Sequence, residues 1–136
     1  DHSKTYLGWH RKNLAHNGLS EARNKLFQAD CQTWLLENDN SFDLILLDPP
    51  SFSNSSRTKN HLDIQRDHVE LLYASMARLR ENGALYFSTN LRTFEIDRRL
   101  EKKYLIEDIT KQTLDPDFRR GRPIHRCWKV LHSKPF

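Results

Sequence analysis

Four consecutive apolar residues, Leu44-Ile45-Leu46-Leu47, stop without a taper at Asp48-Pro49-Pro50, and no other feature of the chain restricts its fold as tightly. A continuous apolar run of this length, closed by a turn signal, is the pattern of a strand covered on both faces. The two prolines fix two successive φ angles and remove two backbone donors, so the strand ends there and no helical turn recaptures its last carbonyls. The strand gives way to a stiff corner carrying a carboxylate, with Ser51 and the aromatic Phe52 just beyond. In open α/β sheets the C-terminal edge of the strands is where ligands bind.

Around that corner, helical and strand patterns alternate, with no repeats and no low-complexity tract. Ser3 suits the cap of a helix whose Tyr6, Leu7, Trp9 and Leu14 recur near helical spacing, and Asn17-Gly18 supplies a left-handed stop. Lys25 to Ala29 reads as a short strand ending at Asp30, and a helix or turn through Thr33 to Leu36 is broken by Asn38-Asp39-Asn40-Ser41. Ser53 to Asn60 is polar and reads as a mobile loop. From Leu62 to Arg80, the residues Ile64, Val69, Leu71, Leu72, Met76 and Leu79 outline one long amphipathic helix closed by Asn82-Gly83. Ala84 to Thr89 is a second buried strand with Asn90-Leu91-Arg92 at its tip. A short charged helix from Asp97 to Lys103, a strand from Leu105 to Thr113, a loop from Asp115 to Pro123 and a last strand from Cys127 to Leu131 complete the chain, the closing pair as an antiparallel hairpin. This order predicts an α/β sandwich with one reversed strand at the edge.

A length of 136 residues allows one domain or part of one, and is short for a complete doubly wound nucleotide-binding enzyme. The net charge of +4 suits an anionic partner without requiring one. Cys31 and Cys127 lie far apart with no CxxC spacing, which points to reduced thiols in a cytoplasmic setting. Neither a signal peptide nor an apolar run long enough for a bilayer is seen, so a soluble intracellular chain with no membrane partner is expected. The seven histidines show no HxxxH or paired Cys/His spacing, and no metal is expected.

Four strand-end positions share one logic. Asp1 precedes a helix cap, Asp30 follows the first strand, Asp48 the second and Asn90 the third. Groups at equivalent ends of neighbouring strands converge on one crevice, where they can hold ribose hydroxyls, an adenine amine and a second base. Any one such Asp is equally well a turn former or a helix cap. At the corner, Asp48 and the carbonyl of Pro49 can accept hydrogen bonds from a planar nitrogen heterocycle while Phe52 offers a face for stacking, which suits a nucleobase.

Taken together, Asp48 to Ser55, Asp63-Ile64-Gln65-Arg66-Asp67-His68 and Phe87-Ser88-Thr89-Asn90 resemble S-adenosylmethionine-dependent RNA methyltransferases. The likeness is nearest to the C-terminal, K-type module of the bifunctional ribosomal RNA large subunit methyltransferases K/L. It also takes in Ser3 to Leu7, Gln28-Ala29-Asp30-Cys31 and Ile124-His125-Arg126-Cys127-Trp128. The resemblance implies an α/β fold, the seven-stranded Rossmann-like methyltransferase domain with its last strand antiparallel. By it, Asp1 holds the cofactor ribose, Asp30 contacts the adenine amine, and Asp48 also lies against S-adenosylmethionine. Asp48, Pro49, Pro50 and Phe52 form the catalytic target-base loop. Ser51, Ser53, Asn54, Gln65, Arg66, Asp67 and Asn90 line the RNA side. The implied reaction is methylation of a guanine, at N7, in large-subunit ribosomal RNA, without a metal.

The chain departs from that family at its start. A complete domain has, before the position of Asp1, a first strand with a glycine-rich turn, then a helix and a second strand, whereas the four glycines here form no GxG pair. The chain is therefore expected to be the C-terminal part of a catalytic domain, residues 1–136 forming the target-base half of the cleft and binding cofactor weakly alone. Two other readings stay open. One is an enzyme of the same fold acting on an exocyclic amine, guanine N2 or adenine N6, in RNA or DNA; the other is a non-catalytic RNA-binding fragment. Methylation at carbon 5 of a pyrimidine needs a thiolate, and no cysteine occurs in residues 48–54 or 87–92.

Other residues have ordinary explanations. Cys31 and Cys127 read as small core residues, and Trp9, Trp34 and Trp128 as packing residues. Asp63, Gln65, Arg66 and Asp67 open a helix, where acids meet its positive end. Arg119, Arg120, Arg122, His125 and Arg126 form the densest basic stretch, with Phe118 and Trp128 nearby. It is either a solvated loop or a contact to RNA phosphates, the second requiring a steep salt dependence.

Overall fold

Helix signals near the start of the chain act as read. In the computed structural model, which describes residues 1–53, 62–119, 121 and 123–133, helix α1 (Lys4–His16) begins where the Ser3 hydroxyl accepts from the Tyr6 N–H. It stops at Asn17, and Gly18 comes next with φ +66°, a conformation that glycine adopts without a steric penalty. Helix α2 (Cys31–Glu37) is capped by the Asp30 carboxylate on the Thr33 N–H. The stretch Lys25–Ala29 is not a strand. Its backbone bonds to Asp1 in the parallel pattern, the Asp1 nitrogen donating to the Phe27 carbonyl at 3.0 Å and the Ala29 N–H to the Asp1 carbonyl at 3.1 Å.

The chain divides into two compact units, residues 1–39 and 40–136. The second holds the sheet. Its β1 (Phe42–Leu47) leads through a short antiparallel pair, β2 (Phe52–Ser53) and β3 (Leu62–Asp63), into helix α3 (Ile64–Met76), then β4 (Leu79–Thr89), α4 (Arg98–Glu101), β5 (Tyr104–Asp108), a 3-10 turn over Pro116–Phe118 and β6 (Arg126–His132). The sheet order is β1-β4-β6-β5, with β1 and β4 parallel and β6 antiparallel to both its neighbours. The expected closing hairpin and a reversed strand are present, but the reversed strand β6 lies between β4 and β5 and not at the edge, and β5 ends at Asp108 because Ile109–Thr113 turns back on itself.

Two expectations fail in this unit for identifiable reasons. Among the described residues β1 is covered on one face only: Leu47 is buried, but Leu44 and Leu46, which share the opposite face, are 63% and 74% exposed. The helix does not run to Arg80, because Leu79 is needed by the sheet, where it pairs with Phe42 while the Phe42 N–H donates to the Arg78 carbonyl. Asn82-Gly83 lies inside β4 and closes no helix. One residue of β1, Asp43, stands against four of β4, Arg80 to Gly83, between the Phe42–Leu79 and Leu44–Ala84 pairs, a bulge that brings Gly83 against the other strand. A Cβ on Gly83 would stand 2.8 Å from the Asp43 carbonyl oxygen, so glycine is there for close approach.

Leu85, Phe87, Trp128 and Val130 of the sheet, Leu71, Leu72 and Met76 of α3, and Phe94 and Leu100 make the core. Phe87, Phe94 and Trp128 are mutually in contact, with ring centres 5.2 to 5.7 Å apart. Burying each such side chain contributes about 1.5–3 kcal/mol, and each aromatic pair adds about 0.5–1.5 kcal/mol. This cluster lies under the turn that comes after β4.

Candidate functional site

Parallel pairing of β1 with β4 brings both strands to one edge, where Asp48 and Asn90 leave the sheet. The Ser88 hydroxyl donates to Asp48 Oδ1 at 2.7 Å, while Oδ2 has no hydrogen-bond partner among the described residues. Asp48, Pro50 and Asn90 are exposed, Pro49 and Ser51 half-buried, and the Phe52 ring is 61% exposed. The corner is nevertheless anchored, since the Ile64 N–H donates to the Ser51 carbonyl at 3.1 Å and Phe52 pairs with Asp63. It points neither into the hydrophobic interior nor away from the strand tips. A fixed acceptor beside an open aromatic face can hold a planar heterocycle by its edge and its face.

The same edge collects later residues because β6 starts where β4 ends. Cys127 pairs with Ser88 and Arg126 with Thr89. Arg126 donates to Asp108 Oδ2 at 3.0 Å and its guanidinium lies 5.1 Å from the centre of the Trp128 ring. Partial burial pushes the Asp108 carboxyl up, but hydrogen bonds from Thr110 and the pairing with Arg126 outweigh it and hold it below the ordinary range. Burial, then the charges of Asp108 and Asp48, push the Cys127 thiol up, which disfavours the thiolate at this buried sulfur.

At the start of α3, polar side chains are spent on the protein itself. Asp63 Oδ1 accepts from the N–H groups of Gln65 and Arg66, and Asp67 returns the bond by accepting from the Asp63 N–H at 2.9 Å, a reciprocal cap. Arg66 grips Asp67 with two parallel bonds of 2.6 and 2.7 Å, and chiefly for that reason the Asp67 carboxyl lies below its ordinary value. The Gln65 amide donates to the Glu95 carbonyl and accepts from the Glu95 N–H, both at 2.9 Å. His68 is 2% exposed. Its Nε2 accepts from the Asp97 N–H at 3.1 Å, which requires the proton on Nδ1, where the carbonyls of Gln65 and Ile64 receive it.

The first unit presents its own carboxylates. Asp1 Oδ1 accepts from the Ser3 N–H at 2.7 Å, and Asp30 Oδ1 accepts from the N–H and hydroxyl of Thr33; in each, Oδ2 has no partner among the described residues. Beside Asp1 lies a wide shallow hollow of about 480 Å³ lined by Tyr6, Trp9, His10, Leu14 and Leu19. Trp9 is not a packing residue: it is 57% exposed, paired with Tyr6 at 5.4 Å, whereas Trp34 is half-buried and Trp128 is buried. Cys31 is exposed at the start of α2, not in the core, and desolvation of its sulfur followed by the Asp30 charge pushes the thiol up.

Arg119 is exposed and its Nε donates to the Leu114 carbonyl. Asn54, Arg120 and Arg122, and most of the polar loop Ser53–Asn60, lie outside the described residues; Ser53 is placed by its backbone in β2. Sequence reasoning missed two residues. Ser88 was findable from register, one position before the end of a strand parallel to one ending at Asp48. His68 lies four residues after Ile64, on the apolar face of an amphipathic helix. Among the described residues no group of three or more His, Cys, Asp or Glu comes together to hold a metal, and no helix is long and apolar enough to cross a membrane.

No family model matches the chain. Its fold is nonetheless that of part of a Rossmann-like methyltransferase: 96% of the chain aligns with 37% of a solved protein described as a methyltransferase complexed with SAH, at a TM-score of 0.68 and 19% identity. Over nearly its whole length the chain is homologous to a segment of ribosomal RNA large subunit methyltransferase K/L. It is 59% identical over 132 residues, 97% of its length, to that protein of Cellvibrio japonicus (strain Ueda107), and 56% identical over 130 residues, 96% of its length, to that of Pseudomonas entomophila (strain L48). The chain spans 18% of the length of each of these relatives.

Proposed function

We propose that this chain is the target-base part of a catalytic domain in a longer enzyme, which transfers a methyl group from S-adenosylmethionine to guanine N7 in large-subunit ribosomal RNA. The observation that carries the reading is the anchored, outward Asp48-Pro49-Pro50-Ser51-Phe52 corner beside Ser88, in a chain 59% identical to a K/L methyltransferase. The donor set fits the cofactor: Asp1 and Asp30 each commit one oxygen locally and keep the other as an acceptor, for a ribose hydroxyl and an adenine amine respectively. When bound, S-adenosylmethionine supplies a methyl on a sulfonium, already activated for transfer.

The protein's share is alignment and electrostatics. Phe52 stacks on the guanine, and Asp48 Oδ2 and the Pro49 carbonyl accept from its edge. N7 carries an in-plane lone pair and needs no deprotonation, but methylation there puts positive charge on the ring. Asp48 stabilises that charge as it develops. The second reading, transfer to the exocyclic amine of guanine or adenine, rests on the same Asp48 oxygen, which would then take the amine proton. Arg119, with Arg120 and Arg122 beside it in sequence, contacts RNA phosphates. Large-subunit RNA as substrate puts the work in the cytoplasm.

The test is to incubate the intact enzyme with methyl-labelled S-adenosylmethionine and undermethylated large-subunit RNA, then digest to nucleosides. Label in 7-methylguanosine is expected. Label in an N2- or N6-methyl nucleoside that is lost in Asp48→Ala selects the second reading, N2 label that survives Asp48→Ala belongs to the other half of the bifunctional enzyme, and the absence of any Asp48-dependent label overturns both.

A further inference from the structure

The stretch Asp63-Ile64-Gln65-Arg66-Asp67-His68 looked like part of the base pocket by resemblance, yet its polar atoms are turned to other work. The corner after β1 is tied to the head of α3 through the Ile64–Ser51 bond and the Phe52–Asp63 pair. From the same helical turn, Gln65 holds Glu95 by both backbone groups, and His68, buried, receives the Asp97 N–H and lies edge-on to Phe94 at 4.7 Å. Phe94 ends the turn that begins at the β4 tip: its N–H donates to the Leu91 carbonyl, and the Leu91 N–H donates to the Thr89 hydroxyl. Asn90 and Arg92 sit in that turn.

We propose that Gln65 and His68 are positioning residues, a clasp that locks the Asn90–Arg92 tip in register with the Asp48–Phe52 corner, and that Gln65 does not read the base. This rests on the methyl-transfer reading above. The amide of Gln65 is matched to its task. It gives one hydrogen and takes one, as a neighbouring strand residue would, and its two bonds reproduce a backbone pairing at a place where no strand runs. A side chain so held keeps one N–H and one lone pair, but the Glu95 backbone fixes the plane in which it can offer them.

Gln65 is exposed, so replacing it spares the core. In the intact enzyme, Gln65→Ala is expected to lower kcat at least tenfold with KM for RNA and for S-adenosylmethionine changed less than twofold. The conservative Gln65→Glu, which keeps the acceptor and loses the donor, should fall between. A rise in KM for RNA matching the loss, or relaxed discrimination between guanosine and inosine at the target, would make Gln65 a base reader and overturn the proposal, as would unchanged kinetics. Hydrogen exchange separates this outcome from failure of the functional reading. The Glu95 amide should exchange at least tenfold faster in Gln65→Ala whatever the reaction proves to be, and unchanged exchange there would remove the clasp even in an inactive protein.

Discussion

Two short segments of the second unit, both rich in polar groups, are used in opposite ways. The Asp48–Phe52 corner leaves its chemistry open: among the described residues, an outward carboxylate with one oxygen unclaimed, an aromatic face mostly exposed, and anchoring bonds made by backbone and Ser88. The Asp63–His68 segment closes its chemistry: cap, ion pair, amide and imidazole all find partners within the protein. Residue type does not separate them, since each holds an aspartate and a ring. What separates them is whether the surrounding fold has already met the hydrogen-bonding demand, because a satisfied buried group stabilises and an unsatisfied exposed one remains able to bind.

That contrast can be broken by three measurements. The largest effect belongs to Asp48→Ala, which should cut methyl transfer by the intact enzyme about 100-fold or more while leaving the thermal midpoint in place. A rate close to that of the unsubstituted enzyme would show that the corner's openness has no chemical use. Next comes His68→Ala, which deletes a buried ring and orphans the Asp97 N–H; about 2–4 kcal/mol of stability should be lost, measured by denaturant titration. A loss under about 1 kcal/mol would mean that the clasp is loosely held.

The smallest effect lies at acid pH. Hydrogen bonds from Arg99, first from its side chain and then from its backbone, hold the Asp97 carboxyl at about 2 against an ordinary 3.8. The folded value is the lower one, so the stabilisation is present above the unfolded value and fades as pH falls through about 2. With Asp97 half-buried and Arg99 largely in solvent, the contribution is small. Asp97→Asn should flatten the slope of stability against pH between roughly 4 and 2, and an unchanged slope would assign the acid sensitivity elsewhere.

Much of this architecture was legible from local chemistry. Ser3, Asn17-Gly18, Asp30 and Asp97 announce helix ends because a cap is a bond between neighbours in sequence. The stop at Asp48-Pro49-Pro50 was readable because proline geometry is intrinsic. Where reading failed, the deciding partner was distant. Gly83 looked like the end of a helix, but its role depends on Asp43 across the sheet. Lys25–Ala29 has strand composition, and among the described residues its ladder bonds go to Asp1. Leu44 and Leu46 are as apolar as any buried strand, and nothing in their spacing says that their face is left open among the described residues. The candidate site divides similarly. Asp48 and Phe52 stand out from their own neighbours in the chain, while Ser88 matters only through strand register and Gln65 only through a loop thirty positions later.

The antiparallel course of β6 has a consequence for biosynthesis. Since Arg126, Cys127 and Trp128 follow β1 and β4 in the chain and meet this edge from the opposite direction, a nascent chain that has emerged only as far as Pro123 owns the acidic corner and its serine but lacks the wall on the other side. Such long-range closure is entropically slow. Assembly of this edge therefore waits for β6, and until Trp128 arrives Phe87 and Phe94 lack the indole that packs on both.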